Sequence, residues 1–308
     1  MTSGMKESKA DRSNAADAGA GTVLSVGMPL YNNARTVGRA LESLLAQTER
    51  DLEIIVSDDG STDDTRAIVD EYARRDSRIR VFYQQKNLNY GNFRFVLARA
   101  RSPFFMFAAG DDWWEPHFAR ACLDALESAP SAVAAVCRVM MHPDDRPAFV
   151  SEFTRTLQGD AAARIFEYLS GPGDNSRMYG VFKTDVARRS FPRSDHHAYD
   201  WTFSAASLLR GEHVEVPLVG MHREVTPGAR YIHYVRRDNR WPLDRLFPLA
   251  PMTRSLLLEH RIPRTRPVLR ALWALNMSHH YWYIREYHPW MMRLHDLRRA
   301  IRHPLSRR

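Results

Sequence analysis

Short apolar runs alternate with amphipathic stretches through the first half of the chain. The runs at Thr22–Leu30, Leu52–Val56, Ile79–Tyr83 and Phe104–Ala108 have the length and composition of buried strands. Between the first two, Val37, Leu41, Leu44 and Leu45 recur at helical spacing and predict a helix from Ala34 to about Gln47, with Asn33 as its cap. Further helices are predicted from about Asp63 to Arg74, with Ser61 or Thr62 placed to cap it, from Asn92 to Ala100, and from Pro116 to Ser128. Strand and helix in strict alternation predict a parallel sheet covered by helices.

After Pro130 the alternation loosens. Strands are expected at Ala132–Met140, Met178–Thr184 and Glu212–Pro217, and helices at Ala161–Leu169 and Asp200–Leu209, the latter closed by Gly211. From Tyr231 onward the pattern is helical, basic and aromatic. Residues 1–21 are Ala, Gly, Ser and charged residues, which predicts a disordered tail without a signal-peptide core. No apolar stretch approaches the roughly 18 residues needed to span a bilayer.

Composition changes this picture in one respect. The 308 residues are 44% hydrophobic, enough for a core, and carry a net charge of +8. The segment Leu243–Arg308 alone holds thirteen arginines and four acidic residues, which leaves the remainder near neutral. A local basic excess points to an anionic partner such as a membrane surface, and no nucleic-acid-binding motif is present. The two cysteines, Cys122 and Cys137, have no framework spacing and read as buried thiols of a reducing compartment.

Candidate chemistry lies where strands end. Ser57-Asp58-Asp59-Gly60-Ser61-Thr62-Asp63 follows the second apolar run, and Asp111-Asp112 follows the fourth. Either cluster alone is also a good turn with a helix cap. Both together, at the sheet edge where open α/β folds bind ligands, suggest a divalent cation and a phosphate-bearing ligand. Familiar phosphate motifs do not account for them. Pro29–Ala34 has no glycine, so the dinucleotide fingerprint is absent, as is the P-loop. An aspartyl phosphatase would need an aspartate where Ser57 stands.

Several segments together resemble family 2 glycosyltransferases of the GT-A fold: Ser25–Asn32, Ser43–Thr48, Ser57–Thr65, Asn87–Arg94 and Ala109-Gly110-Asp111-Asp112-Trp113. The resemblance spans roughly residues 22 to 225. It implies a Rossmann-like, mostly parallel α/β sheet with a nucleotide-sugar-binding half at 22–128, an acceptor-binding half at 129–230 and a helical extension at 231–308. Pro29, Tyr31, Asp59, Ser61 and Asp111 are then expected at the nucleotide, and Arg94 near the donor phosphates. Asp112 is expected as a ligand of Mg²⁺ or Mn²⁺, with Asp111 as a ribose or second metal contact. The family's leading aspartate is replaced by Ala109.

By the same resemblance Asp200 is the general base, in a position where the family often has Glu-Asp and this chain has Tyr199-Asp200. A plain helix cap is the competing reading of Asp200. His196 and His197 could join it in a metal site, although loop histidines are more often polar surface. His222 and Arg223 match the family's later loop too loosely for a role to follow.

The expectation is an inverting, metal-dependent transferase acting on a UDP- or dTDP-sugar and a saccharide or lipid-linked acceptor in cell-surface polysaccharide or glycolipid synthesis. It would be cytoplasmic, and peripheral on the inner face of the plasma membrane if the basic helix expected around Trp290, Leu294, Leu297 and Ile301 binds lipid. Packing of that helix on the catalytic domain, or against a second copy, is the alternative. A non-catalytic nucleotide-sugar-binding protein and a nucleotidyltransferase are the other function classes, and the latter is disfavoured by the missing glycine-rich loop.

Overall fold

The computed structural model describes residues 21–225, 235, 237–239 and 241–287. In chain order the elements are β1 (Leu24–Leu30), α1 (Val37–Leu45), β2 (Leu52–Asp58), α2 (Thr65–Arg75), β3 (Ile79–Tyr83), α3 (Tyr90–Arg99) and β4 (Phe104–Phe107). There follow β5 (Trp113–Trp114), α4 (Phe118–Ser128), β6 (Ala132–Pro143), β7 (Phe149–Val150), α5 (Ala161–Leu169), β8 (Val181–Lys183), α6 (Thr184–Ser190), α7 (Tyr199–Leu208) and β9 (Glu212–Val225). Short helices α8 (Pro242–Leu246) and α9 (Ala250–Arg254) lead to the long α10 (Arg266–Tyr287).

One sheet runs in the order β3-β2-β1-β4-β8-β6-β9-β5, with β7 paired to β6. The strands β3, β2, β1 and β4 are parallel, as the alternation predicts. Their side chains alternate between two cores because successive residues of a strand face opposite sides. Ile54, Val56 and Met106 pack with α1 and α4 residues such as Leu41 and Leu123. Ile55, Phe105 and Phe107 pack on the other face with Val96 of α3 and Phe203 of α7. Residues on both sides of position 128 thus build the same sheet.

A third core joins α5 and α7 to the C-terminal helices, through Ile165, Leu169 and Leu208 against Leu249, Met252, Leu256, Val268 and Leu272. The described part of the extension is therefore docked on the α/β unit. The expected helix through Trp290 and Ile301 lies outside the described residues, as do residues 1–20.

Three local expectations are corrected. Asn33 does not cap α1: its side chain accepts from the Tyr31 amide, and the helix opens at Val37. Ser61 and Thr62 do not cap α2, because their polar groups are spent on Asn32 of the neighbouring loop. The strand expected to stop at Pro217 continues to Val225, because a register shift lets Cys137 face Val216 while Arg138 faces Val219, so Pro217 and Leu218 lie in a bulge. That continuation carries His222 and Arg223 back to β5 and the acidic edge.

Candidate active site

Three loops at the carboxyl ends of β1, β2 and β3 are laced together. Asn32 holds a left-handed backbone, φ +55°, and donates its amide to Ser61 Oγ at 2.9 Å while its side chain accepts from the Thr62 amide at 2.8 Å. The Asn33 amide donates to Thr65 Oγ1 and the Ala34 amide to Asp63. Asp59, buried, accepts from the Leu88 and Asn89 amides at 2.7 and 3.0 Å, which ties in the loop before α3. Burial pushes its carboxyl up, and those amides act in the opposite direction. Pro29 sits in β1 opposite Ser57, and Tyr31 projects at the strand end with 49% of its surface exposed. Of the expected nucleotide residues, Pro29, Tyr31, Asp59 and Ser61 therefore share one ledge.

The second acidic loop abuts that ledge at Gly110. A Cβ there would stand 2.5 Å from Leu30 Cδ2 and 2.9 Å from Asn33 Cγ, so only glycine permits the approach. Arg39 donates to the Asp111 carbonyl at 2.9 Å and lies 3.8 Å above the Trp113 ring.

Asp112 is buried, with Arg223 Nε 3.6 Å from its carboxylate. Burial drives its carboxyl up to about 7, against the attraction of Arg223 and with the repulsion of Asp111. Arg223 also donates to the Asp174 carbonyl at 3.1 Å and to Ser176 Oγ at 3.2 Å, and its guanidinium lies over Tyr179. Arg223 thereby ties Asp112 to the Asp174–Ser176 segment, whose Asn175 side chain bonds Asp200.

Asp200 stands in the first turn of α7, whose cap is Ala198, so it is not the helix cap. Ala198 is left-handed at φ +61°, and the helix begins at the next residue. The Asp200 carboxylate accepts from the Asn175 side chain at 3.1 Å, and Asn175 itself accepts from Tyr168 Oη at 2.8 Å and Ser204 Oγ at 2.9 Å. Burial raises the Asp200 carboxyl above its ordinary value, while the Asn175 bond lowers it. Tyr199, beside it, is packed against Tyr90 and Phe93, and burial holds its phenol well above the ordinary value.

Arg94 is placed elsewhere. It donates to Asp195 at 2.7 Å and to the Pro192 carbonyl, bracing the loop that enters α7. His196 is buried rather than on the surface, donating from Nδ1 to the Ser194 carbonyl and accepting at Nε2 from Thr202. Among the described residues no group of three or more His, Cys, Asp or Glu side chains is placed to hold a metal, so His196 and His197 do not form one with Asp200. Asn175 and Tyr179 escape sequence reasoning. Gly171-Pro172-Gly173-Asp174-Asn175 reads as a turn, but nothing local says that its last amide meets Asp200.

Comparison with known proteins bears on the family and the fold. Residues 25–189 match the family model for glycosyl transferase family 2. The uncharacterized glycosyltransferase EpsJ of Bacillus subtilis is 35% identical over 208 residues, which are 65% of this chain and 60% of that protein. Matches to other curated relatives span between 15% and 36% of their length. Staphylococcus aureus TarS in complex with UDP-GlcNAc superposes with a TM-score of 0.57 at 16% identity, covering 82% of this chain and 80% of that one. A mannosyltransferase of Pyrobaculum calidifontis, in complex with GDP-Man and Mn²⁺, gives 0.54 at 16% identity, covering 91% and 81%. At these identities the likeness shows the fold, and it is the α/β fold of the GT-A type.

Proposed function

The chain belongs to glycosyl transferase family 2, and from that premise we propose that it moves a sugar from a nucleoside-diphosphate donor to an acceptor hydroxyl with inversion. The observation that carries this reading is the chain of contacts through Arg223. It pairs with Asp112 of the acidic loop and bonds the Asp174 carbonyl, next to the Asn175 amide that holds the Asp200 carboxylate.

In this reading Asp200 takes the proton of the acceptor hydroxyl as that oxygen attacks the anomeric carbon. The bond from that carbon to the diphosphate breaks, its electron pair leaves with the nucleoside diphosphate, and one displacement inverts the centre. Asn175 fixes the direction of the accepting oxygen. Tyr31 meets the base, while Pro29, Asp59 and Ser61 shape the nucleoside ledge. Arg94 reaches the donor phosphates by exchanging its partner: its pair with Asp195 is exposed, and such pairs contribute only about 0–1 kcal/mol.

The residues fit a divalent cation of the Mg²⁺ or Mn²⁺ kind. Such ions bind through one or two carboxylates with phosphate oxygens completing the shell, and Asp112 is a buried carboxylate whose burial outweighs the pull of Arg223, with Asp111 beside it. Asp112, with Asp111 as second contact, would hold the ion. Bound there, it supplies charge against the departing diphosphate.

The UDP-GlcNAc and GDP-Man complexes of the structural neighbours support a nucleotide-sugar donor, with UDP- or dTDP-sugars preferred here. The acceptor we propose is a saccharide or lipid-linked saccharide of cell-surface glycan synthesis. A non-catalytic sugar-nucleotide binder is the second reading, favoured by Ala109 in place of the family's leading aspartate. Incubation with a panel of UDP-, dTDP- and GDP-sugars and simple saccharide acceptors, followed by proton NMR of the product, tests the proposal. A product whose anomeric configuration is opposite to the donor's supports it. Retention would overturn the single displacement, and binding without turnover of any donor–acceptor pair would favour the second reading.

A further inference from the structure

The C-terminal helices present a surface that the transfer chemistry does not use. The four large apolar side chains most open to solvent among the described residues are Trp241, Leu243, Leu258 and Trp273, each at least 66% exposed. All belong to this unit. On α10 the inward stripe Val268, Ala271 and Leu272 is buried against the catalytic domain. At 3.6 residues per turn, Leu269, Trp273, Arg266, Arg270 and Tyr281 fall within an arc of about 120° and are exposed; His280 and Ile284 in the same arc are covered by Leu246 and Val235, so the open face belongs mainly to the first two turns.

The exposed charge is mostly of one sign. Arg261, Arg264, Arg266, Arg270 and Arg285 are exposed and form no ion pair among the described residues, and Glu286 is the exposed acid of the unit. Asp244 is buried and neutralised by Arg254, and Glu259 accepts from Ser255 and the Arg193 amide. Before α10 the chain widens into a π-turn, Ser255–Glu259, and reverses through Arg261 at φ +54°. The reversal leaves an open hollow of about 540 Å³ lined by Leu257, Leu258, Arg261, Ile262 and Arg264.

We infer that the outer face of this helical unit docks on an anionic phospholipid bilayer, with Arg261 and Arg264 taking a lipid phosphate at the hollow beside Leu258. Aromatic and aliphatic side chains interleaved with arginine match the acyl–headgroup boundary, where tryptophan and tyrosine concentrate and each basic residue adds attraction to anionic lipid. Charge argues against other occupants. A second copy of this face would bring arginine onto arginine in a two-fold contact. Residues 288–308 of the chain carry six further arginines and one aspartate, so they share the sign of the face rather than complement it. The exposed leucines suit lipid better than a nucleic-acid backbone.

Co-sedimentation of the full chain with phosphatidylcholine vesicles, with and without phosphatidylglycerol, tests this. The wild type binds the phosphatidylglycerol vesicles more tightly, and less so as salt rises. Arg261→Gln combined with Arg264→Gln weakens that binding about twenty-five-fold, at roughly fivefold per arginine, and Trp273→Ser weakens it in both low and high salt. Equal partition onto both vesicle types, variants that bind as well as the wild type, or a dimer that Trp273→Ser disrupts without vesicle binding would each overturn the inference. Preferential binding to RNA over vesicles would do the same. Donor turnover measured on the same samples is independent of these outcomes, so failure here and failure of the transferase reading are distinguishable.

Discussion

Asp200 and Asn175 form the smallest unit of the account. A carboxylate must be deprotonated to act as a base, so activity falls as pH drops through its folded pKa. Burial raises that pKa above the ordinary 3.8, and the acid limb of the pH–rate profile is expected above that value. The Asn175 amide acts in the opposite sense by favouring the charged form. Asn175→Gly keeps the left-handed backbone but removes the amide, so the limb should move to higher pH. A limb that stays in place would show that Asn175 does not position the base. The same change strips partners from Tyr168 and Ser204, both buried, and should cost about 1–3 kcal/mol in urea unfolding. Asp200 is singled out as a candidate from sequence because it stands where the family often has Glu-Asp, before a helix closed by Gly211. Asn175 is not, because its partner is 25 residues away and only tertiary folding joins them.

At the scale of elements, most of the sheet was legible. Apolar runs bounded by turn residues mark strands whatever surrounds them, and β1 to β4 appear where they were expected. Elements of two residues, β5 and β7, have no period to detect. Pro217 read as a stop because the bulge that absorbs it depends on the partner strand. The caps misread at Asn33 and Ser61 share a cause: polar side chains there satisfy a neighbouring loop rather than their own helix. The close approach at Gly110 makes a prediction for this scale. Gly110→Ala should lower stability by about 1–3 kcal/mol through overpacking and raise the donor KM by pushing the acidic loop off the ledge. A wild-type KM would mean that the two loops are not coupled through this contact. The left-handed Ala198 predicts the opposite sign. Ala198→Gly should stabilise the fold by up to about 1 kcal/mol, read as a higher urea midpoint.

Over the whole molecule, one sheet brings residues from both halves of the chain to a common edge. The first half supplies the ledge proposed for the nucleoside and the acidic pair. The second supplies Asp200, Asn175 and, through the long β9, Arg223. The fold and the family were legible in the order of strands and in the segments spread along it. The role of the C-terminal helices was not, because periodicity cannot tell which face of a helix is buried. The structure shows α10 docked by one stripe and exposed on another.

The proposal stands on residues of both halves, Asp111, Asp112 and Asp200, performing metal-assisted, base-assisted transfer. Release of nucleoside diphosphate from its sugar donor tests it most directly, with acceptor present, by wild type, Asp112→Ala and Asp200→Asn, each with Mn²⁺ and with EDTA. The account predicts turnover by the wild type that EDTA abolishes, loss in Asp112→Ala, and a fall of about 10²- to 10⁴-fold in Asp200→Asn with donor binding retained. Turnover by Asp200→Asn equal to the wild type, or wild-type turnover unchanged by EDTA, would contradict it.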